Sequence, residues 1–132
     1  MDFASIRIIT EDVARLVDFY ERATQTKANW FSPEFAELRT ESAAVAIASA
    51  RTVAMFPPDT ARPSQNRSVI IEFIVDDVDG VYRNLASFVG DFVSEPTTMP
   101  WGNRSLLLRD PDGNLINFFT PVTPAAVARF AR

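Results

Sequence analysis

The stretch Arg104–Phe119, RSLLLRDPDGNLINFF, decides the fold. An apolar run stops at Asp110-Pro111-Asp112-Gly113, and a second apolar run follows. Proline presets φ for a turn and glycine accepts positive φ. Ser105–Arg109 and Leu115–Thr120 therefore read as the two strands of a hairpin. Asp110, Asp112 and Asn114 read as turn formers, because a calcium loop needs more oxygens at longer spacing.

Upstream, the segment from Arg67 to Phe88 reads RSVIIEFIVDDVDGVYRNLASF. Val69–Val75 has strand character and runs into Asp76-Asp77. Val78, Val81, Tyr82 and Leu85 then recur at helical spacing. DFVSEPTTMPWGN is irregular, with room for a short edge strand at Phe92–Ser94, and the tail PVTPAAVARFAR reads as a last short helix.

The N-terminal part repeats this order. Ser5–Ile9 alternates polar and apolar residues as a half-buried strand does, and Asp12 is placed to cap a helix from Val13 to about Ala23. Phe35–Arg39 and Ala44–Ala48 read as two strands around a polar turn, and the proline-rich AMFPPDTARPSQN as a linker. IITEDV (8–13) lies over FIVDDV (73–78) at an offset of 65, which sets Asp12 on Asp77 and Val13 on Val78. With a small slip, Arg39 falls on Arg109 and Ile47 on Asn117. The spacing predicts one module over about 1–56, a linker at 57–67, a second module at about 68–121 and a tail at 122–132.

Composition removes several function classes. The 132 residues carry 13 basic and 17 acidic side chains, for a net charge of −4, which argues against a nucleic-acid footprint. No apolar run is long enough for a transmembrane helix. MDFASIRIITEDV lacks the basic-then-apolar pattern of a signal peptide, so the expected location is cytoplasmic. There is no cysteine and no histidine. Disulfides, thiolate catalysis and sulfur-ligated metals are out, and the commonest general base is missing.

The pattern resembles the vicinal oxygen chelate superfamily, also called the glyoxalase/bleomycin-resistance/dioxygenase superfamily. IRIITEDVARLVDFYERA, IIEFIVDDVDGVYRNL and, above all, PWGNRSLLLRDPDGNLINFF carry the likeness, which spans roughly Phe3 to Thr120. It implies an α+β fold in which two βαβββ modules form a curved, open, eight-stranded mixed sheet that cradles a ligand. Many members of the family dimerise, so a homodimer is the expected state.

Metal-using members of that family hold a divalent ion with His, Glu or Gln at four positions. Carried over, these fall at Ser5, near Ile47, at Ile70 and at Asn117, with a slip of one residue allowed at Ile47. None is a histidine or a carboxylate, which are the donors such ions want. The expectation is therefore no metal and no cofactor. If Ser5, Ile70 and Asn117 face the cleft, strand alternation adds Arg7, Ile9, Glu72, Ile74 and Phe119. Ile6, Ile8, Ile71, Phe73, Val75, Ile116 and Phe118 then form the core.

Each candidate has a sharp and a bland reading. Glu72 is a ligand anchor or general base, or else an ion-pair partner of Arg7, its counterpart at the same offset. Arg7 would bind a carboxylate or phenolate on a ligand. Asn117 would hydrogen-bond a ligand carbonyl, or is a satisfied polar residue of the sheet. Trp101 borders the cleft in the resemblance and would stack on a planar ligand, while Trp30 and Phe31 would sit on a flexible loop above it. For Phe31, packing is the favoured reading. Phe56 would line the pocket, and Arg104 either reaches the cleft or braces the hairpin.

These readings converge on a metal-independent protein that binds a small hydrophobic or aromatic molecule, as in sequestration of an antibiotic or toxic metabolite. The alternative is a lyase, isomerase or oxygenase with Glu72 as its acid/base and Arg7 steadying a developing oxyanion. A third is a degenerate domain kept for protein–protein interaction.

Overall fold

A computed structural model describes residues 1–131. The chain divides between Asn66 and Arg67 into two compact units, each built on its own four-stranded sheet. Eight strands are present, four to a unit, the number that the resemblance implies, and neither sheet closes.

The first unit runs β1 (Ser5–Thr10), α1 (Val13–Thr24), β2 (Asn29–Ser32), β3 (Phe35–Arg39) and β4 (Ala44–Ser49), then a 3-10 turn at Ala50–Val53. Its sheet order is β1-β4-β3-β2. β1 is parallel to β4, because the helix carries the chain back to the same end; the other pairs are antiparallel. Asp12 caps α1 by accepting the Arg15 amide at 3.1 Å, an interaction typically worth about 1 kcal/mol. Val13, Leu16, Val17, Tyr20 and Ala23 make its buried stripe.

The second unit repeats this with β5 (Ile70–Ile74), α2 (Val78–Leu85), β6 (Phe92–Thr98), β7 (Asn103–Arg109) and β8 (Leu115–Pro121). It adds α3 (Pro124–Phe130). Sheet order is β5-β8-β7-β6, again with the first and last strands parallel. Asp77 caps α2 as Asp12 caps α1. The Thr120 hydroxyl accepts the Val78 amide at 3.0 Å and donates to the Val75 carbonyl at 2.8 Å, tying the start of α2 to β8. Phe73 stacks on Phe118 at 5.3 Å within a core that includes Leu85, Leu106, Leu108 and Ile116.

Two strands depart from the sequence reading. β2 lies where a loop was expected, and β6 runs four residues beyond Ser94. Both are edge strands with bulges, and β6 even contains Pro96. An edge strand tolerates proline because one side of it has no ladder partner.

The closing hairpin turn is a small polar network. Asp110 Oδ1 accepts the amides of Asp112 and Asn114, both at 2.9 Å, and Asp110 Oδ2 accepts Asn114 Nδ2 at 2.8 Å. Gly113 takes φ +87° there. The turn spans 110–114, one residue more than the 40–43 turn of the first unit.

Candidate functional site

The two faces of the second sheet are told apart by what covers them. Arg104 of β7 reaches Asp79 of α2, and Phe92 of β6 packs edge-on against Tyr82 of α2 at 4.9 Å. Strand pairing puts Leu106, Leu108, Ile116, Phe118, Ile71 and Phe73 on that helix-covered face. The opposite, open face carries Ile70, Glu72 and Ile74 from β5, Leu115, Asn117 and Phe119 from β8, and Ser105 and Leu107 from β7. Period-two alternation is plain in β5, where Ile71 is 5% exposed while Ile70 and Ile74 are 48% and 45% exposed.

Glu72 and Asn117 are direct partners across the parallel β5–β8 pair. Asn117 Nδ2 donates to Glu72 Oε2 at 2.8 Å. A carboxylate only accepts, so this bond fixes which way the amide faces. Asn117 is 8% exposed, and its Oδ1 has no partner among the described residues. Leu107 stands beside it on β7, and Ser94 of β6 pairs with Leu107. The Ser94 hydroxyl is likewise buried and unpartnered among the described residues. Phe119 is covered by Phe130 of α3, with ring centroids 5.2 Å apart, so α3 occupies one end of the open face.

In the first unit, pairing places Ser5, Arg7 and Ile9 on one face with Ala44, Ala46, Ala48, Phe35 and Glu37. Arg7 is exposed, and Glu37 is paired with Arg39 at 2.7 Å. Ile47 lies on the other face with Ile8, Ala36 and Leu38 and is fully buried. The carry-over to Ile47 is corrected: the partner of Arg7 is Ala46, as Asn117 is the partner of Glu72. The extra residue in the second hairpin turn produces that one-residue slip.

Two further expectations change, for Trp30 and Phe56, and the position of Arg104 is fixed. Trp30 sits on β2 rather than on a loop, and its pairing with Ala36 puts it on the face of Ile47, away from Arg7. Its neighbour Phe31 instead meets Phe35 at 5.9 Å. Phe56 belongs to the linker, where it lines a depression of about 280 Å³ with Val53, Pro57 and Pro58 rather than a sheet face. Arg104 points to the helix side: Nε and Nη2 grip the two Asp79 oxygens at 2.9 and 3.0 Å, and Nη1 donates to Thr98. It braces β7 against α2. These hydrogen bonds, ahead of direct charge attraction, hold the Asp79 carboxyl below its usual value and raise Arg104 above its own.

Trp101 occupies the exposed tip of the β6–β7 turn, closed by the Gly102 amide on the Met99 carbonyl at 2.9 Å. Ile74 joins the open face as strand alternation predicts, and Leu107 joins it without having been among the sequence candidates. The signal for Leu107 was available, since a turn closed by Asp110 and Asn114 fixes the β7–β8 register. Nothing in the sequence marks Ser94, because the bulges of β6 break its alternation.

The donor set does not fit the family's metal. Of the four corresponding positions, Ile70 and Ala46 carry no donor, and Ser5 and Asn117 supply only a neutral hydroxyl and a neutral amide oxygen. No group of three or more His, Cys, Asp or Glu able to hold an ion occurs among the described residues. Among those residues, too, no helix is long and apolar enough to cross a membrane.

Comparison with known proteins agrees with the architecture. The family model described as the Glyoxalase/Bleomycin resistance protein/Dioxygenase superfamily matches residues 2–118. A glyoxalase/bleomycin resistance protein/dioxygenase from Nocardioides is 20% identical, with TM-score 0.76 over 94% of this chain and 85% of that one. A family enzyme of the same description from Burkholderia phytofirmans PsJN is 17% identical, with TM-score 0.80 over 92% of this chain and 100% of that one. TioX from Micromonospora sp. ML1 is 21% identical, with TM-score 0.71 over 92% and 100%. At these identities the likeness is one of fold. No curated protein matches the chain.

Proposed function

Since the chain belongs to the glyoxalase/bleomycin resistance protein/dioxygenase superfamily, we propose that it binds a small hydrophobic or aromatic molecule on the open face of its second sheet. It does so without a metal ion and as a homodimer, to sequester the molecule. The observation that carries this reading is the Glu72–Asn117 pair, set among Ile70, Ile74 and Leu107. A mostly apolar surface with a few fixed polar groups suits a small organic ligand. Dimerisation follows from the family habit and completes the reading.

The rival is an enzyme in which Glu72 acts as general acid/base. The exposed position of Glu72 on an otherwise apolar stretch favours it. A base must lie within hydrogen-bond reach of the proton it takes. Asn117, by donating to Glu72, would orient the carboxylate for that task.

Native mass spectrometry of protein purified without chelators or imidazole tests the first reading. The expected result is a dimer mass with no stoichiometric divalent ion, with additional organic mass from a co-purified ligand. A stoichiometric ion overturns metal independence. Glu72→Gln separates the rivals: for a binding protein affinity falls, whereas for an enzyme turnover is abolished while substrate binding survives.

A further inference from the structure

We infer that the ligand of the open face presents a hydrogen-bond donor, most favourably a protonated amine, to the Glu72–Asn117 pair. This rests on the binding reading above and names its ligand class. It reverses the expectation that Asn117 would serve a ligand carbonyl.

The inference follows from the direction of one hydrogen bond. Asn117 spends one of its two Nδ2 hydrogens on Glu72 Oε2. The amide therefore offers a ligand its acceptor, Oδ1, which is buried and unpartnered among the described residues. Asn117 is also the one hydrogen-bond partner of Glu72 among those residues, so the carboxylate keeps accepting capacity. Two neighbouring groups, on paired residues of adjacent strands, thus present mainly acceptors: the carboxylate oxygens and Oδ1, against one remaining Nδ2 hydrogen. A ligand carbonyl or carboxylate would find only that one hydrogen and leave Oδ1 unpartnered, and an anion would add repulsion from Glu72. An ammonium, amidinium or hydroxyl group satisfies both. The ammonium gains most, because charge-assisted bonds are the stronger kind.

The surroundings set the rest of the ligand. Ile70 and Ile74 flank Glu72 along β5, Leu115 and Phe119 flank Asn117 along β8, and Leu107 lies beside Asn117 on β7. The head group is therefore bordered by hydrocarbon on several sides, which selects an apolar body carrying a single cationic or donor head. Arg109, the one arginine that the described strands place on this face, is held at the hairpin end, donating to the Gly113 carbonyl at 2.9 Å.

Three probes with one body and different heads test this: 2-(2-naphthyl)ethylammonium, 2-(2-naphthyl)ethanol and 3-(2-naphthyl)propionate. Each is titrated at neutral pH into the full chain and followed by NMR of the Asn117 side-chain amide and the Ile70 and Ile74 methyl groups. The expected order is ammonium, then alcohol, then carboxylate, with about tenfold or more between the ends. Glu72→Gln is expected to collapse most of that spread while the alcohol still binds. Asn117→Leu, which keeps the carboxylate, is expected to narrow it in part. Equal binding of all three heads, or preference for the carboxylate, overturns the inference and leaves small-molecule binding standing. Binding of none of the three at those methyl groups overturns both.

Discussion

Arg104 and Asp79 form a two-pronged ion pair that fastens β7 to α2, with Nε on Oδ2 at 2.9 Å and Nη2 on Oδ1 at 3.0 Å. Asp79 titrates below its ordinary value, chiefly because Arg104 donates to it. The folded state therefore holds its proton less tightly than the unfolded chain does. The stabilisation is present above the ordinary carboxylate pKa, about 4, and disappears as pH falls through the lower folded value. Partial exposure of both side chains keeps the effect modest. Urea midpoints of wild type and Asp79→Asn measured from pH 7 to pH 3 are expected to differ at neutral pH and converge at the acid end.

The two faces of the second sheet differ in what they contribute. Phe118 is 1% exposed and stacked on Phe73, so Phe118→Ala is expected to cost about 3–5 kcal/mol in chemical denaturation. Ile70, on the open face, is half exposed, and Ile70→Ala is expected to cost less than about 1 kcal/mol. The same Ile70 variant is expected to weaken the naphthyl probes. A destabilisation by Ile70→Ala matching that of Phe118→Ala would mean that the open face is core.

Gly102 couples the β6–β7 turn to α3. Its φ is +96°, its carbonyl accepts the Val122 and Thr123 amides, and a Cβ there would run into the Thr123 hydroxyl and come within 3.0 Å of Ala126 Cβ. Gly102→Ala is expected to cost about 1–3 kcal/mol through backbone strain, and to dislodge the start of α3. Hydrogen exchange of peptides over 122–131 reads this directly. The α3 amides, Val127 among them, are expected to lose protection while those of α2 keep theirs.

Asn117 separates stability from recognition. Asn117→Leu removes a buried amide whose oxygen is unpartnered among the described residues, and leaves Glu72 where water reaches it. The change in unfolding free energy is expected to stay within about 1 kcal/mol of zero. A large loss would mean that the amide acts mainly as a structural tie between β5 and β8.

How much of this was legible in the sequence depends on how clearly each strand shows its period. β5 alternates cleanly, so Ile70, Glu72 and Ile74 were assigned to one face from residues alone. β4 does not: AVAIAS is buried on both faces, its six small or apolar residues give no phase, and Ile47 was set one residue out. β2 offers four exposed residues and a bulge, too short and irregular to distinguish from a loop, which misplaced Trp30. Arg104 carries a charge that suits either face, and only the position of Asp79 on α2 decides between them. The Asn117–Glu72 bond needed the strand register, which the two hairpin turns set differently.

The two halves are alike in outline but differ at one matched pair of positions. Where one unit sets an acid beside an amide at Glu72 and Asn117, the other sets a cation beside a methyl at Arg7 and Ala46. A chain built from two copies of the second unit would therefore not be a purified version of this protein. It would lose Arg7 and gain a second acid–amide pair. Internal duplication here is a matter of scaffold, and the division of labour is written in two residues per half.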